Sequence, residues 1–273
     1  MTVGEAIRTA AEKLAATSDT ARLDAEVLMA HALGITRSDM LLRAMRDPAP
    51  ETFAALIELR SAHEPVSYLT GRQEFYGRSF AVEPGILIPR GDSETLITAA
   101  LEMCPAPRRV LDLGTGSGAL LLTILAECPG AAGVGIDSSA LAIDVAGENA
   151  IALGIANPWA LYRRDWRAPG WADDLGTFDL VLCNPPYVED HAALDPDVRD
   201  FEPASALFAG PEGLDAYRAV IPQLRALMQP QAAAILEIGA TQAVAVSTIA
   251  ADAGFTTALR HDLAGRARAL ILT

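Results

Sequence analysis

From Arg108 onward the chain alternates short apolar runs with helical stretches, and this alternation limits the possible folds more than any other feature. Residues 110–113, 134–137, 159–162, 178–183 and 233–238 read as strands. Helical patterns follow from Ala119, from Ser139 to Leu153, from Leu214 and from Ala240. Strands that alternate with helices pack as a parallel sheet with right-handed crossovers and helices on both faces. Two further strands, near 256–260 and 268–272, close the chain.

The first seventy residues carry a different pattern. Thr2-Val3-Gly4-Glu5 has the form of a capping box, and Ile7, Ala10 and Leu14 follow at helical spacing. A second helix is expected from Ser18 or Asp19 to Gly34, a short third from Thr36, and a fourth from Pro50. His31 and His63 stand alone on these helices and read as structural. Residues 1–70 thus form a small helical bundle with no catalytic constellation of their own. Residues 74–77 and 79–82 alternate around a glycine and suggest a hairpin, making 71–89 a linker and 90–273 a second domain. Asp92 and Glu94 suit the N-cap and first turn of the next helix.

Composition narrows the function classes. A net charge of −14 argues against tight general binding to a phosphate backbone. Cys104, Cys128 and Cys183 are widely spaced, without a CxxC pair, and read as buried thiols in a reducing compartment. No metal-ligand spacing is present. The longest apolar stretch, 119–136, is broken by Glu127 and Pro129, so a soluble cytoplasmic protein with no membrane span is expected.

Two motifs carry chemistry. Asp112-Leu113-Gly114-Thr115-Gly116-Ser117-Gly118 is a glycine turn between strand and helix, and Asp137 ends the following strand. Such a turn lets the backbone approach a ligand, and a strand-end acid can accept hydrogen bonds from ribose hydroxyls. The turn is not G-x-G-x-x-G, so it indicates a nucleoside-containing cofactor without naming one, and a tight βα turn would look the same. Asp165-Trp166 offers an edge and a face to an adenine. The second motif is Asn184-Pro185-Pro186-Tyr187. Neither proline can donate to a ladder, so the strand ends at Asn184, where open α/β sheets bind their ligands. A carboxamide and prolyl carbonyls are acceptors for a planar NH2 group, and Tyr187 can pack on it. Asn and Pro are also ordinary turn residues, so the tetrapeptide alone leaves both readings open.

The two motifs together resemble a class I methyltransferase acting on a planar nitrogen. Residues 65–71 (PVSYLTG), 74–77 (EFYG), 89–94 (PRGDSE), 23–28 (LDAEVL), and Arg199 with Phe201-Glu202-Pro203 resemble the release-factor glutamine methyltransferase (HemK/PrmC) family over nearly the whole chain. Gly91 stands where the family usually has proline, and Ala267 where an acid often precedes the matching Arg268. The resemblance implies a Rossmann-like seven-stranded sheet with an antiparallel last strand, behind an N-terminal helical bundle. It implies S-adenosyl-L-methionine held by Gly114, Thr115, Gly116, Ser117, Gly118, Asp137, Trp166 and Asn184. It implies that Asn184 and the Pro185 carbonyl accept the N–H groups of a substrate glutamine, with Pro186 and Tyr187 lining its site. Arg199 and Glu202 are expected to fix the loop over the site. The implied partner is a class-1 bacterial peptide chain release factor, methylated in its Gly-Gly-Gln loop. Methylation of a ribosomal-protein glutamine or a nucleic-acid exocyclic amine is the alternative, as is a non-enzymatic binder.

Overall fold

The computed structural model describes residues 1–273 and divides into two compact units, Met1–Arg72 with Leu194–Phe201, and Gln73–Ala193 with Glu202–Thr273. In chain order the helices are α1 (Val3–Leu14), α2 (Ala21–Leu33), α3 (Arg37–Asp39, continued by a π turn), α4 (Thr52–Ser61), α5 (Val66–Thr70), α6 (Glu94–Met103), α7 (Ala119–Glu127), α8 (Ala140–Ala152), α9 (Pro196–Phe201), α10 (Ala204–Leu207), α11 (Asp215–Leu227) and α12 (Ala243–Asp252). The strands are β1 (Arg72–Phe75), β2 (Arg78–Ala81), β3 (Arg109–Leu113), β4 (Ala132–Asp137), β5 (Trp159–Arg163), β6 (Phe178–Cys183), β7 (Met228–Glu237), β8 (Thr257–His261) and β9 (Ala267–Leu272).

In the first unit the capping box forms in full: Glu5 N–H donates to Thr2 Oγ1 at 3.3 Å, and Thr2 N–H to Glu5 Oε2 at 2.8 Å. Ile7, Leu14, Leu28, Met29, Met40, Phe53 and Ile57 make its core. A buried ion pair, Asp24 with Arg60 at 2.7 Å, ties α2 to α4. The unit takes in α9, a segment that a division at residue 70 does not include. Arg60 stands 3.8 Å from Asp197 on α9.

The second unit is built on a seven-stranded sheet in the order β5-β4-β3-β6-β7-β9-β8. The pairs from β5 through β7 are parallel, and β9 is antiparallel to both its neighbours, so the last strand in the chain is the one that runs backwards. Successive strand residues serve opposite faces. Leu111, Leu113, Val181, Ala234 and Leu236 join a core with Tyr217, Val220 and Ile221 of α11, whereas Val110, Leu180, Leu182 and Ile235 join one with α6 and α7. Both faces are therefore covered, which explains why β3 and β6 are nearly continuous apolar runs.

Strand order reverses at β3, with β4 on one side and β6 on the other. Their register sets Leu113 opposite both Ile136 and Cys183. The carboxyl ends of three strands thus lie side by side at the switch point, where such sheets bind ligands. β7 starts at Met228, five residues before the apolar run that announces it. Residues 229–232 form an irregularity between the pairs Phe178–Met228 and Leu180–Ala233, with Gln231 at φ 70°, and the two glutamines and Pro230 among them hide the strand.

Candidate active site

The glycine turn leaves β3 and enters α7. Gly114, Gly116 and Gly118 take φ of 73°, 54° and 82°, values that side chains with a Cβ rarely adopt. At Gly114 the need is also spatial, since a Cβ there would meet the Trp166 ring at 3.3 Å and the Asn184 carbonyl oxygen at 4.0 Å. A Cβ at Gly116 would meet nothing within 4 Å, so that edge of the turn is open. Asn149, buried on α8, braces the turn by donating to the Ser117 carbonyl at 2.9 Å.

Asp137 ends β4 with its carboxylate already oriented. Gly116 N–H donates to one oxygen at 3.0 Å and Ser139 N–H to the other at 2.9 Å. Burial raises its pKa, and these N–H donors oppose the rise. Each oxygen keeps a lone pair for a further donor. Asp112, at the end of β3, is fully buried. Thr115 Oγ1 donates to its Oδ2 at 2.7 Å, while its Oδ1 has no partner. Burial pushes its carboxyl up to about 7.

A cavity of about 230 Å³ in the second unit gathers these groups. Gly114, Thr115, Gly116, Ser117, Asp137, Trp166 and Asn184 line it, together with Ile86, Leu87, Ser93 and Pro186. Of the expected cofactor residues, Gly118 alone is not on the wall; it turns the chain behind it. Pro185, Tyr187 and Glu202 are also off that wall. Pro185 is buried and Tyr187 half-buried beside Asn184.

Tyr187 is pinned at both ends. Its hydroxyl donates to Glu237 Oε1 at 3.1 Å and accepts from Arg268 Nη1 at 3.3 Å. Its carbonyl accepts from Gln242 Nε2 at 3.0 Å. Ser93 Oγ donates to Glu237 Oε2 at 2.5 Å, and Asn184 Nδ2 reaches Ser93 Oγ at 3.5 Å. Glu237 is fully buried, and burial raises its pKa against the lowering effect of Ser93, Arg268 and Tyr187.

Two expectations need correction, one at Asp92 and one at Arg199. Asp92 does not cap α6: it lies in a 3-10 turn, and its carboxylate binds Arg266 at 2.8 Å and Arg268 at 3.0 Å. Glu94 sits in the first turn of α6 as expected, and its carboxylate also accepts from Tyr76 N–H at 2.8 Å, tying the helix to the hairpin. Arg199 pairs only with its neighbour Asp200 on the surface, too local a contact to fix a loop. Glu202, in contrast, is buried, pairs with Arg90 and accepts from Ile88 N–H. Asn149, Ser93, Glu237 and Arg268 gave no local sign of their roles, because each acts through a partner far away in the chain.

Residues 5–71 match the PrmC N-terminal domain family and residues 92–202 the methyltransferase small domain family. A release factor glutamine methyltransferase of Cereibacter sphaeroides is 42% identical, over 98% of this chain and 97% of its own. Enzymes of the same name from Moorella thermoacetica and Nitratidesulfovibrio vulgaris are 39% and 36% identical, over 99% and 95% of this chain and 98% and 90% of their own. Among solved structures, a ribosomal protein L11 methylase from Lactobacillus delbrueckii subsp. bulgaricus superposes with a TM-score of 0.51 at 22% identity, covering 74% of this chain and 89% of that one. A methyltransferase from Pyrococcus furiosus does so with 0.52 at 13%, covering 72% and 89%, and both likenesses concern the fold alone. With its glycine turn, its Asn-Pro-Pro-Tyr strand end and both domain matches, this chain belongs to the release factor glutamine methyltransferase family.

Proposed function

We propose that this protein transfers a methyl group from S-adenosylmethionine to the side-chain amide nitrogen of a glutamine, the one in the Gly-Gly-Gln loop of a class-1 peptide chain release factor. The observation that carries this is the proximity of Asn184 to the glycine turn at the switch point, on the wall of one cavity. The residues present fit the cofactor. Gly116 leaves an open edge, Asp137 offers oriented acceptors to ribose hydroxyls, and Trp166 offers an aromatic face to the adenine. When bound, S-adenosylmethionine supplies an electrophilic methyl on a sulfonium.

The chain's own residues deal with the amide. An amide nitrogen is a weak nucleophile because its lone pair is delocalised into the carbonyl. Asn184 Oδ1 and the Pro185 carbonyl accept its two N–H groups and hold the nitrogen in place as it becomes less planar. Tyr187, pinned by Glu237 and Arg268, limits where the amide can lie. Catalysis then rests on positioning and on acceptors that meet the growing positive charge; as the nitrogen gains the methyl lost from the sulfonium, it sheds one of its two N–H protons by way of these acceptors to water, without a dedicated strong base. Two glycines before the glutamine leave room for a deep approach of its backbone. The helical unit, which has no chemistry of its own, would grip the release factor, and a cytoplasmic location follows from that substrate. No helix is long and apolar enough to cross a membrane.

The test is incubation of the enzyme with isotope-labelled S-adenosylmethionine and unmodified release factor, followed by fragmentation mass spectrometry. The expected product carries one methyl on the glutamine of the Gly-Gly-Gln loop. A methyl on another residue, on a ribosomal protein only, or on nucleic acid overturns the assignment.

A further inference from the structure

The carboxamide of Asn184 has an acceptor end and a donor end, and only the acceptor end can hold a substrate N–H. Something must keep it from turning over. A chain of hydrogen bonds with a fixed direction does this. Glu237, at the end of β7, has two acceptor oxygens. Tyr187 O–H donates to Oε1 at 3.1 Å, and Ser93 O–H donates to Oε2. Arg268 Nη1 lies 3.3 Å from the Tyr187 oxygen and occupies it as an acceptor, so the phenol hydrogen must go to Glu237. A serine hydroxyl has one hydrogen. With that hydrogen committed to Glu237, Ser93 Oγ can only accept, and what it accepts is Asn184 Nδ2 at 3.5 Å.

We propose that Ser93 and Glu237 are positioning residues that fix the polarity of the Asn184 carboxamide, holding its NH2 end and turning its oxygen to the substrate amide. The proposal rests on the methyl-transfer reading above. Ser93 is 3% and Glu237 1% exposed, so the link between them is shielded from water. Both come from elements remote from Asn184 in the chain. Ser93 closes the turn before α6, and Glu237 lies on the strand that pairs with β6.

The direction of the chain makes the idea testable by reversal. Glu237→Gln keeps the shape and replaces one acceptor with a donor. The Tyr187 hydrogen still needs an acceptor, so the glutamine oxygen faces Tyr187 and its NH2 faces Ser93. Ser93 then accepts from residue 237 and donates to Asn184 Oδ1, which turns the carboxamide and shows its NH2 to the substrate. The experiment measures kcat, KM for release factor and for S-adenosylmethionine, and the thermal midpoint for Glu237→Gln, Ser93→Ala, the double variant and Asn184→Ala. We expect Glu237→Gln to lose kcat by at least about tenfold with both KM values held within about threefold. Ser93→Ala should lose less, because it frees the carboxamide without reversing it. The double variant should turn over faster than Glu237→Gln alone, since the reversed polarity no longer reaches Asn184; a packing role would make it slower. Parent-like kcat in Glu237→Gln, or a double variant slower than both singles, overturns the inference. If Glu237→Gln does not fold, Ser93→Ala decides alone: lowered kcat at unchanged KM supports the inference, and unchanged kcat overturns it. Asn184→Ala separates the two levels. If it turns over normally the methyl-transfer mechanism itself fails, whereas if it is inactive beside a parent-like Glu237→Gln, only the positioning role is lost.

Discussion

Asn149 holds the backbone of Ala81 at both ends. Its Oδ1 accepts from Ala81 N–H at 2.7 Å, and its Nδ2 donates to the Ala81 carbonyl at 3.1 Å. The same Nδ2 donates to Ser117, so one buried amide on α8 joins the β1–β2 hairpin to the glycine turn. It stands in for the ladder partner that the edge of a two-stranded sheet lacks.

Asn149→Ala leaves these backbone groups without their partner. The expected loss is about 2–3 kcal/mol of stability, the cost of buried polar groups left unpaired. Urea unfolding should show a lower midpoint with an unchanged m-value. A midpoint equal to the parent's would mean that water replaces the amide at no cost.

Asp112 sets a dependence of stability on pH. Its carboxyl titrates near 3.8 when unfolded and is pushed up to about 7 by burial in the folded chain. Between those values the folded state binds the extra proton, so stability falls as pH rises through this window and the loss is complete above it. Asp112→Asn keeps an acceptor for the Thr115 hydroxyl and carries no charge. In the ligand-free protein it should flatten the slope and add on the order of 4 kcal/mol above pH 7. Asp137 and Glu237, also raised by burial, act in the same direction and leave a residual slope. Parallel pH profiles for variant and parent would show that Asp112 folds as a charged group.

What could be read from the chain, and what could not, divides by the range of the interactions. The capping box and the hairpin depend on residues within a few positions of one another, and the motifs name them. The Asn-Pro-Pro-Tyr strand end and the glycine turn are legible for the same reason. The parallel part of the sheet follows from alternation, whereas the antiparallel last strand came only with the family resemblance. Asp92 was misread because a local capping signal says nothing about Arg266 and Arg268, which reach it only when β9 is inserted between β7 and β8. Ser93 and Glu237 are 144 positions apart in the chain, and no spacing rule joins them.

Asp137→Ala should weaken S-adenosylmethionine binding by about two decades, or roughly 2–3 kcal/mol, the value of charge-assisted hydrogen bonds to hydroxyls. Because its pKa is raised, affinity in the parent should fall as pH is lowered through that raised value, and in Asp137→Ala this fall should vanish. Calorimetric titration across pH checks both. Equal affinities for variant and parent would remove Asp137 from the cofactor site.

The buried pair in the helical unit gives a test independent of chemistry. Asp24 and Arg60 side chains are each 8% exposed, and Ser18 and Thr20 hydroxyls also donate to Asp24. Arg60→Leu leaves Asp24 buried without a cation and should cost about 3 kcal/mol, whereas Asp24→Leu/Arg60→Leu together should cost less. A double-mutant cycle by chemical denaturation reads the coupling. A double variant as unstable as the sum of the singles would show that the two charges do not depend on one another.

Asn184 is the residue on which the proposed chemistry turns. It is half-buried, lines the cavity, and follows β6, which is buried at every position but Asp179, so its replacement should change the site without unfolding the sheet. Asn184→Ala removes one of two acceptors that meet charge as it develops on the amide nitrogen. Loss of one such preorganised partner lowers kcat by about a hundredfold or more. The glycine turn, Asp137 and Trp166 are untouched, so affinity for S-adenosylmethionine should change by less than about tenfold. Asn184→Asp retains an oxygen toward the substrate but presents a second oxygen to Ser93, whose hydrogen already belongs to Glu237. Its turnover should lie between those of the parent and Asn184→Ala. Stopped-time methylation of release factor, with cofactor affinity measured in parallel, gives the order of the three. If Asn184→Asp were no better than Asn184→Ala, acceptance of a substrate N–H at this position would not be what Asn184 contributes.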